Sequence, residues 1–325
     1  MSQRRTTSER IGAILDGQIA DAEAVRYLEE MDELNLTAEQ IAGAVDAVMH
    51  RVVKFPEFPG AMDVCGTGGD YQHSYNISTA SALVVAACGV KVAKHGNRAI
   101  TSRSGSADVL EALGVRTSLS PENCAKVLSD VGISFLFAPS FHPGFARIAP
   151  LRKAIGHRTI FNLLGPLCNP ARVDYQLIGV YHPALCAPMA GAANLLGRKH
   201  VMVVHGEEGC DEISISGKTK VAELAQNVVT QYDLEPRRAG LPTRPADELK
   251  GGDAEENAAA LLEILNGTEN TYADAVVFNA GVALYIAGKA PALRGGATMA
   301  REALATGEAK RVLNHLIDAT QTSHD

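Results

Sequence analysis

Three glycines in four positions, Gly66-Thr67-Gly68-Gly69, separate a mostly apolar run at residues 61–65 from another at residues 80–88. The first run reads as a buried strand and the second as a helix, with Gly89 where a helix C-terminal cap falls. Glycines between them let the backbone come close to a ligand, and Ser78 and Thr79 stand at the helix start. Strand, glycine-rich turn and polar helix start together offer free N–H groups and a positive dipole end to an anion. A further strand, expected over residues 90–93, brings Lys94, His95 and Arg98 to the same sheet edge. The pattern predicts a phosphate site with room for more than one phosphate group. Two common templates do not fit it. A dinucleotide fingerprint starting at Gly66 needs glycine where Tyr71 stands, and a P-loop ending in Gly217-Lys218-Thr219 needs glycine in place of Glu212.

The charge balance shapes that site. Thirty Lys and Arg against 37 Asp and Glu give a formal net charge of −7, so a polyanion pocket here is a local basic feature of an acidic protein. General nucleic-acid binding, which needs a basic face, is not expected. The 325 residues are enough for one large domain, or a large and a small one. Six cysteines form no C-x-x-C pair, which favours buried thiols in a reducing compartment over disulfides or a zinc site. Residues 1–10 lack the apolar stretch of a signal peptide, and the longest apolar run, around residues 82–90, is too short to span a bilayer. The expected location is the cytoplasm, with no membrane attachment.

Residues 1–55 read as helices only. Thr37-Ala38-Glu39-Gln40 forms a capping box, after which Ile41, Val45, Val48 and Val52 share one face. An earlier helix starts near Asp21 and uses Val25, Leu28 and Met31. This segment is either a cap on the larger domain or a small helical domain whose surplus apolar face makes a dimer contact. Phe55-Pro56-Glu57-Phe58-Pro59-Gly60 marks the boundary. Beyond it, strands expected at residues 133–138, 176–180, 201–204 and 275–278 alternate with helices at 106–113, 121–131, 184–196, 257–265 and 282–287. Such alternation implies an α/β fold, a mostly parallel sheet covered by helices, with ligands beyond the carboxyl ends of its strands.

Three further groups carry chemistry. Ser102-Arg103-Ser104-Gly105-Ser106 adds a base and hydroxyls to the loop after Arg98. Arg152 lies ten residues after His142-Pro143. Asp211-Glu212, read alone, is a solvated acidic turn; at the mouth of a phosphate pocket it would repel the ligand unless a cation lay between. Magnesium, a hard cation that takes carboxylate and phosphate oxygens, fits that place.

In this order the runs Gly66-Thr67-Gly68-Gly69-Asp70, Asn76-Ile77-Ser78-Thr79, Lys94-His95-Gly96-Asn97-Arg98, Ser104-Gly105-Ser106-Ala107-Asp108, His142-Pro143, residues 162–170 and Asp211-Glu212-Ile213-Ser214 resemble the anthranilate phosphoribosyltransferase family over nearly the whole chain. Two positions depart from its pattern: Tyr71 stands where the family usually has Gly, and Ser74 where Thr is common. The resemblance implies transfer of phosphoribose from 5-phosphoribosyl 1-diphosphate to the amino group of anthranilate, with release of pyrophosphate, in tryptophan biosynthesis. It implies donor contacts from Gly66, Gly69, Asp70, Ser74, Asn76, Ile77, Ser78, Thr79, Lys94, His95, Gly96, Asn97, Arg98, Ala99, Ile100, Thr101, Ser102 and Ser106. Anthranilate would meet Gly66, Asn97, His142 and Arg152. Two Mg2+ per subunit are implied, one on Ser78 and another on Asp211 and Glu212. A small helical domain over residues 1–60 and a large α/β domain over 61–325 are implied as well. Whether helices near residues 145–172 join the small domain, the contact for a homodimer, is left open. The rivals are a pyrimidine nucleoside phosphorylase, which would not need the magnesium pair, and a non-catalytic nucleic-acid-binding relative, which would need a basic surface.

Overall fold

A computed structural model describes residues 2–70, 72–99 and 103–323. Helices α1 (Gln3–Leu15), α2 (Asp21–Glu30) and α3 (Ala38–Met49) open the chain. The capping box forms at α3: the Gln40 N–H donates to Thr37 Oγ1 at 3.2 Å, and the Thr37 N–H to Gln40 Oε1 at 2.9 Å. Ile41, Val45 and Val48 are buried together as the spacing requires.

The strands are β1 (Met62–Gly66), β2 (Val92–Gly96), β3 (Ile133–Phe137), β4 (Tyr175–Gly179), β5 (His200–Gly206), β6 (Thr219–Ala225) and β7 (Val228–Leu234). They form one sheet in the order β3-β2-β1-β4-β5-β6-β7, parallel through β5 and antiparallel beyond it. Between them run α4 (Ile77–Ala87), α5 (Ser106–Ala112), α6 (Pro121–Val131), α7 (Ala138–Phe141), α8 (Phe145–Ile155), α9 (Phe161–Leu164) and α10 (Cys186–Leu195). Helices α11 (Ala254–Leu265), α12 (Thr271–Ile286), α13 (Leu293–Ala305) and α14 (Glu308–Thr322) close the chain. Among the described residues no helix is long and apolar enough to cross a membrane.

The sheet separates two cores, and strand alternation assigns residues to each. Leu177, Met202 and Val204 face α4, α12 and the C-terminal helices. Ile178, Val201 and Val203 face α10 and, beyond it, a cluster built from α1–α3, α8 and α9. From β1 the chain moves outward through β2 to β3, then returns to place β4 on the other side of β1. The crevice beyond the ends of β1 and β4 is therefore the topological switch point, where ligands bind in open α/β sheets.

Three expectations need correction. Residues 275–278 are not a strand but the middle of α12, which absorbs the helix expected at 282–287. Nearly every residue of α12 is buried, so its sequence carries no polar face to mark the helical period, and Val276-Val277-Phe278 imitates a core strand. The β6–β7 hairpin was not expected; its two-residue turn, Gln226-Asn227, has φ of +51° and +63° without the usual glycine. Finally, β2 begins and ends later than residues 90–93, so Lys94 and His95 lie within the strand, not after it.

Candidate active site

Strand β1 ends at Gly66, and the loop that follows turns through Gly68 (φ +65°) and Gly69 (φ +78°), conformations that side chains other than glycine rarely adopt. Gly66 pairs in register with Gly179 at the end of β4. Asp211, from the segment after β5, crosses directly over both: a Cβ on Gly66 would strike its carboxylate, and one on Gly179 its backbone. Two glycines on neighbouring strands thus admit an acidic residue to the sheet edge. There Asp211 Oδ2 accepts from the Gly68 N–H at 2.7 Å, and Glu212 Oε1 accepts from the Ser78 N–H at 3.1 Å in the first turn of α4.

Lys94 reaches into the same place from β2. Its buried ammonium donates to the Val64 carbonyl at 2.7 Å and to Ser78 Oγ at 3.4 Å. Burial pushes the Asp211 and Glu212 carboxyls well above the usual carboxylate range. Asp70 adds to the effect on Asp211, and Asp211 to that on Glu212, while Lys94 draws Glu212 back down. Among the described residues no three His, Cys, Asp or Glu side chains surround one point where a metal ion could sit. Magnesium does not require such a cage, since it binds through one or two carboxylates, waters and substrate phosphates. Oxygen donors on Asp211, Glu212 and Ser78, with carboxylates crowded enough to repel, fit that chemistry.

These groups open on a cavity of about 700 Å³. Gly66, Gly69, Asp70, Ser74, Asn76, Ser78, Thr79, Lys94, His95, Gly96, Asn97, Arg98, Ala99, Ser106, His142, Arg152, Asp211 and Glu212 all border it. Ile77 does not: its side chain lies in the core, and its N–H is held by the Tyr75 carbonyl at 2.8 Å. Arg98 borders the cavity, but its guanidinium pairs with Asp108 and Glu111 on α5 (3.3 and 2.6 Å). Ile100, Thr101, Ser102 and Tyr71 lie outside the described residues.

The far wall is apolar and comes from α7 to α9. Phe145, Ala149 and Arg152 fall at i, i+4 and i+7 on the cavity face of α8. Phe161 packs edge-on against Phe145 at 5.8 Å, and His142 lies 5.1 Å from His95. Burial pushes His142 down to about 4 and, with His142 nearby, His95 to about 3, so both imidazoles are neutral at pH 7. Arg152 is half-buried and has no ion-pair partner among the described residues, so this cation is free to meet an anionic ligand. Burial alone lowers its pKa from the usual arginine value.

Sequence reasoning missed Arg158 and Tyr181. Arg158 hydrogen-bonds the Gly69 carbonyl and lies 3.9 Å over the Tyr181 ring, bracing the glycine loop. The Tyr181 N–H donates to Thr67 Oγ1 at 3.3 Å. The only signal in the chain was the placement of Arg158 just before the motif at residues 162–170.

Residues 59–310 match the family described as "Glycosyl transferase family, a/b domain". An anthranilate phosphoribosyltransferase from Novosphingobium aromaticivorans is 46% identical over 309 residues, covering 95% of this chain and 94% of its own. The crystal structure of anthranilate phosphoribosyltransferase from Thermus thermophilus superposes with a TM-score of 0.92 at 40% identity, over 98% of this chain and 96% of that one. The Saccharomyces cerevisiae enzyme, solved in complex with PRPP and Mg, gives 0.89 at 29% identity, over 99% and 94%. On this identity and coverage, the chain belongs to the anthranilate phosphoribosyltransferase family.

Proposed function

We propose that the cavity seats 5-phosphoribosyl 1-diphosphate and anthranilate side by side and that the chain transfers phosphoribose to the anthranilate amine, releasing pyrophosphate. The observation that carries this reading is the two-sided wall: an anion-binding edge formed by the glycine loop, the start of α4 and Lys94, facing an apolar shelf with Arg152. Donor contacts fall to Gly66, Gly69, Asp70, Ser74, Asn76, Ser78, Thr79, residues 94–102 and Ser106. Bonds within the protein make Ile77 and Arg98 supports for these contacts. On the acceptor side, Arg152 pairs with the anthranilate carboxylate by a charge-assisted bond, with Gly66, Asn97 and His142 around the ring.

As pyrophosphate leaves, negative charge grows on its oxygens and positive charge on the ribose. Lys94 and the positive dipole end of α4 stabilise the former from fixed positions. Asp211, Glu212 and Ser78 would hold magnesium, two ions per subunit on this reading, which when bound would supply further positive charge to the diphosphate. The aryl amine is neutral at pH 7 and attacks without prior deprotonation. The work of the site is therefore alignment and charge stabilisation, with no general acid or base assigned.

The same reading takes residues 1–60 as a small helical domain, supported by the shared core of α1–α3 with α8 and α9, which brings in helices from residues 145–172. It takes the active form as a homodimer through that domain, measurable by light scattering. It also places the protein in the cytoplasm, consistent with six free cysteines among the described residues. Pyrophosphate release measured beside anthranilate consumption tests the reaction. We expect one mole per mole, lost in excess chelator. Equal turnover without magnesium would sink the diphosphate reading, and turnover of thymidine with phosphate would replace it by phosphorolysis.

A further inference from the structure

Two loops that border the cavity, residues 73–76 and 104–106, meet the segment ahead of α11, which does not border it. The segment ahead of α11 lies along residues 73–75: the Tyr75 N–H donates to the Leu249 carbonyl at 3.0 Å, and the Gly251 N–H to the His73 carbonyl at 2.8 Å. Asn257, in the second turn of α11, is 2% exposed and does not border the cavity. Its Oδ1 accepts from the Gly252 N–H at 2.8 Å, and its Nδ2 donates to Asn76 Oδ1 at 3.0 Å. Asn76 in turn donates from Nδ2 to the Ser104 carbonyl at 3.4 Å, in the loop that leads to Ser106.

The two ends of this relay fix everything between them. Gly252 N–H can only donate, so Asn257 must present its oxygen there and its amide nitrogen to Asn76. The Ser104 carbonyl can only accept, so Asn76 must turn its nitrogen that way and its oxygen to Asn257. Neither amide can flip without setting two donors or two acceptors against each other. The Asn76 side chain thereby joins two loops, with one N–H and one lone pair of its amide committed within the protein.

We infer that Asn257 is a positioning residue for the donor site, acting through Asn76 to hold the Ser104–Ser106 loop in register with the start of α4. The inference rests on the reading of this edge as the diphosphate-donor site. Asn257→Asp tests it with almost no change of size: the carboxylate still accepts from Gly252 but has no proton for Asn76. Asn76 must then flip and set its oxygen against the Ser104 carbonyl.

Donor affinity, titrated calorimetrically with 5-phosphoribosyl 1-diphosphate and magnesium, should weaken at least 10-fold in Asn257→Asp and in Asn257→Ala. The anthranilate KM should change less than 2-fold. Asn76→Ala should weaken donor binding to a similar degree, and the Asn76→Ala/Asn257→Ala pair no more than 2-fold beyond the worse single variant, because one relay can be broken only once. Should Asn257→Ala fail to fold, the near-isosteric Asn257→Asp decides. Donor binding within 2-fold of wild type in a folded Asn257→Asp protein, even with a lowered melting temperature, would overturn the proposal, as would additive losses in the pair. Absence of saturable donor binding by the wild type would instead remove the donor-site reading, and the relay's role with it.

Discussion

Arg152 stands on the apolar shelf without an acidic partner among the described residues, an arrangement that leaves its charge for a ligand. Replacing it by alanine removes a charge-assisted bond worth about 1.5–3 kcal/mol, roughly 10- to 100-fold in binding. Steady-state kinetics of Arg152→Ala should show that loss in the anthranilate KM and little change in the donor KM. A donor KM that rises equally would move Arg152 off the acceptor. Asp211 and Glu212 make the opposite kind of prediction. Crowded and desolvated beside Asp70, their charges oppose folding in the absence of a cation. The Asp211→Asn/Glu212→Gln variant should therefore melt no lower than wild type in magnesium-free buffer while its turnover collapses. A lower melting temperature with turnover intact would make the pair structural.

Elements bounded by local chemistry were readable from the sequence. Ser120 and Pro121 open α6 and Gly132 closes it at φ +89°, the Thr37 box opens α3, and the glycine run marks the end of β1. Elements defined by their surroundings were not. Helix α12 is apolar on every side because α4, α13 and the sheet enclose it, and no local pattern distinguishes that from a strand. The site divides the same way: contiguous motifs named most residues of the glycine-loop side of the cavity, whereas Arg158, Tyr181 and Asn257 join it only through the fold. The hairpin gives a test at this scale. Gln226 and Asn227 hold left-handed backbone that Asn-Gly adopts readily. The Gln226→Asn/Asn227→Gly variant should gain about 1 kcal/mol, seen as a higher denaturant midpoint, with unchanged activity because neither residue borders the cavity. A lower midpoint would mean that the side chains contribute more than the turn strain costs.

Across the whole molecule, His95 and His142 couple stability to acidity. Both are held neutral, with pKa values of about 3 and about 4 against 6.5 when free, so the unfolded chain binds protons first as pH falls. Their contribution is complete above about pH 6.5 and is lost on the way down to about pH 4 for His142 and about pH 3 for His95, at up to about 1.4 kcal/mol per pH unit for each. Asp211 and Glu212, whose raised carboxyls take up protons in the folded protein over the same range, pull the other way, so the test is a difference. Between pH 7 and 5 the urea midpoint of His95→Gln should fall less, or rise more, than that of wild type, and an identical pH dependence would mean His95 is protonated in the folded protein. The proposed function places a diphosphate on one wall of the cavity and an aromatic acid on the other. The most direct measurement is the fluorescence of anthranilate mixed with 5-phosphoribosyl 1-diphosphate, magnesium and the protein. The signal should decay only when all components are present and stay flat in the Asp211→Asn/Glu212→Gln variant. A signal that never decays with the complete mixture, or decays equally without the donor, would contradict the assignment.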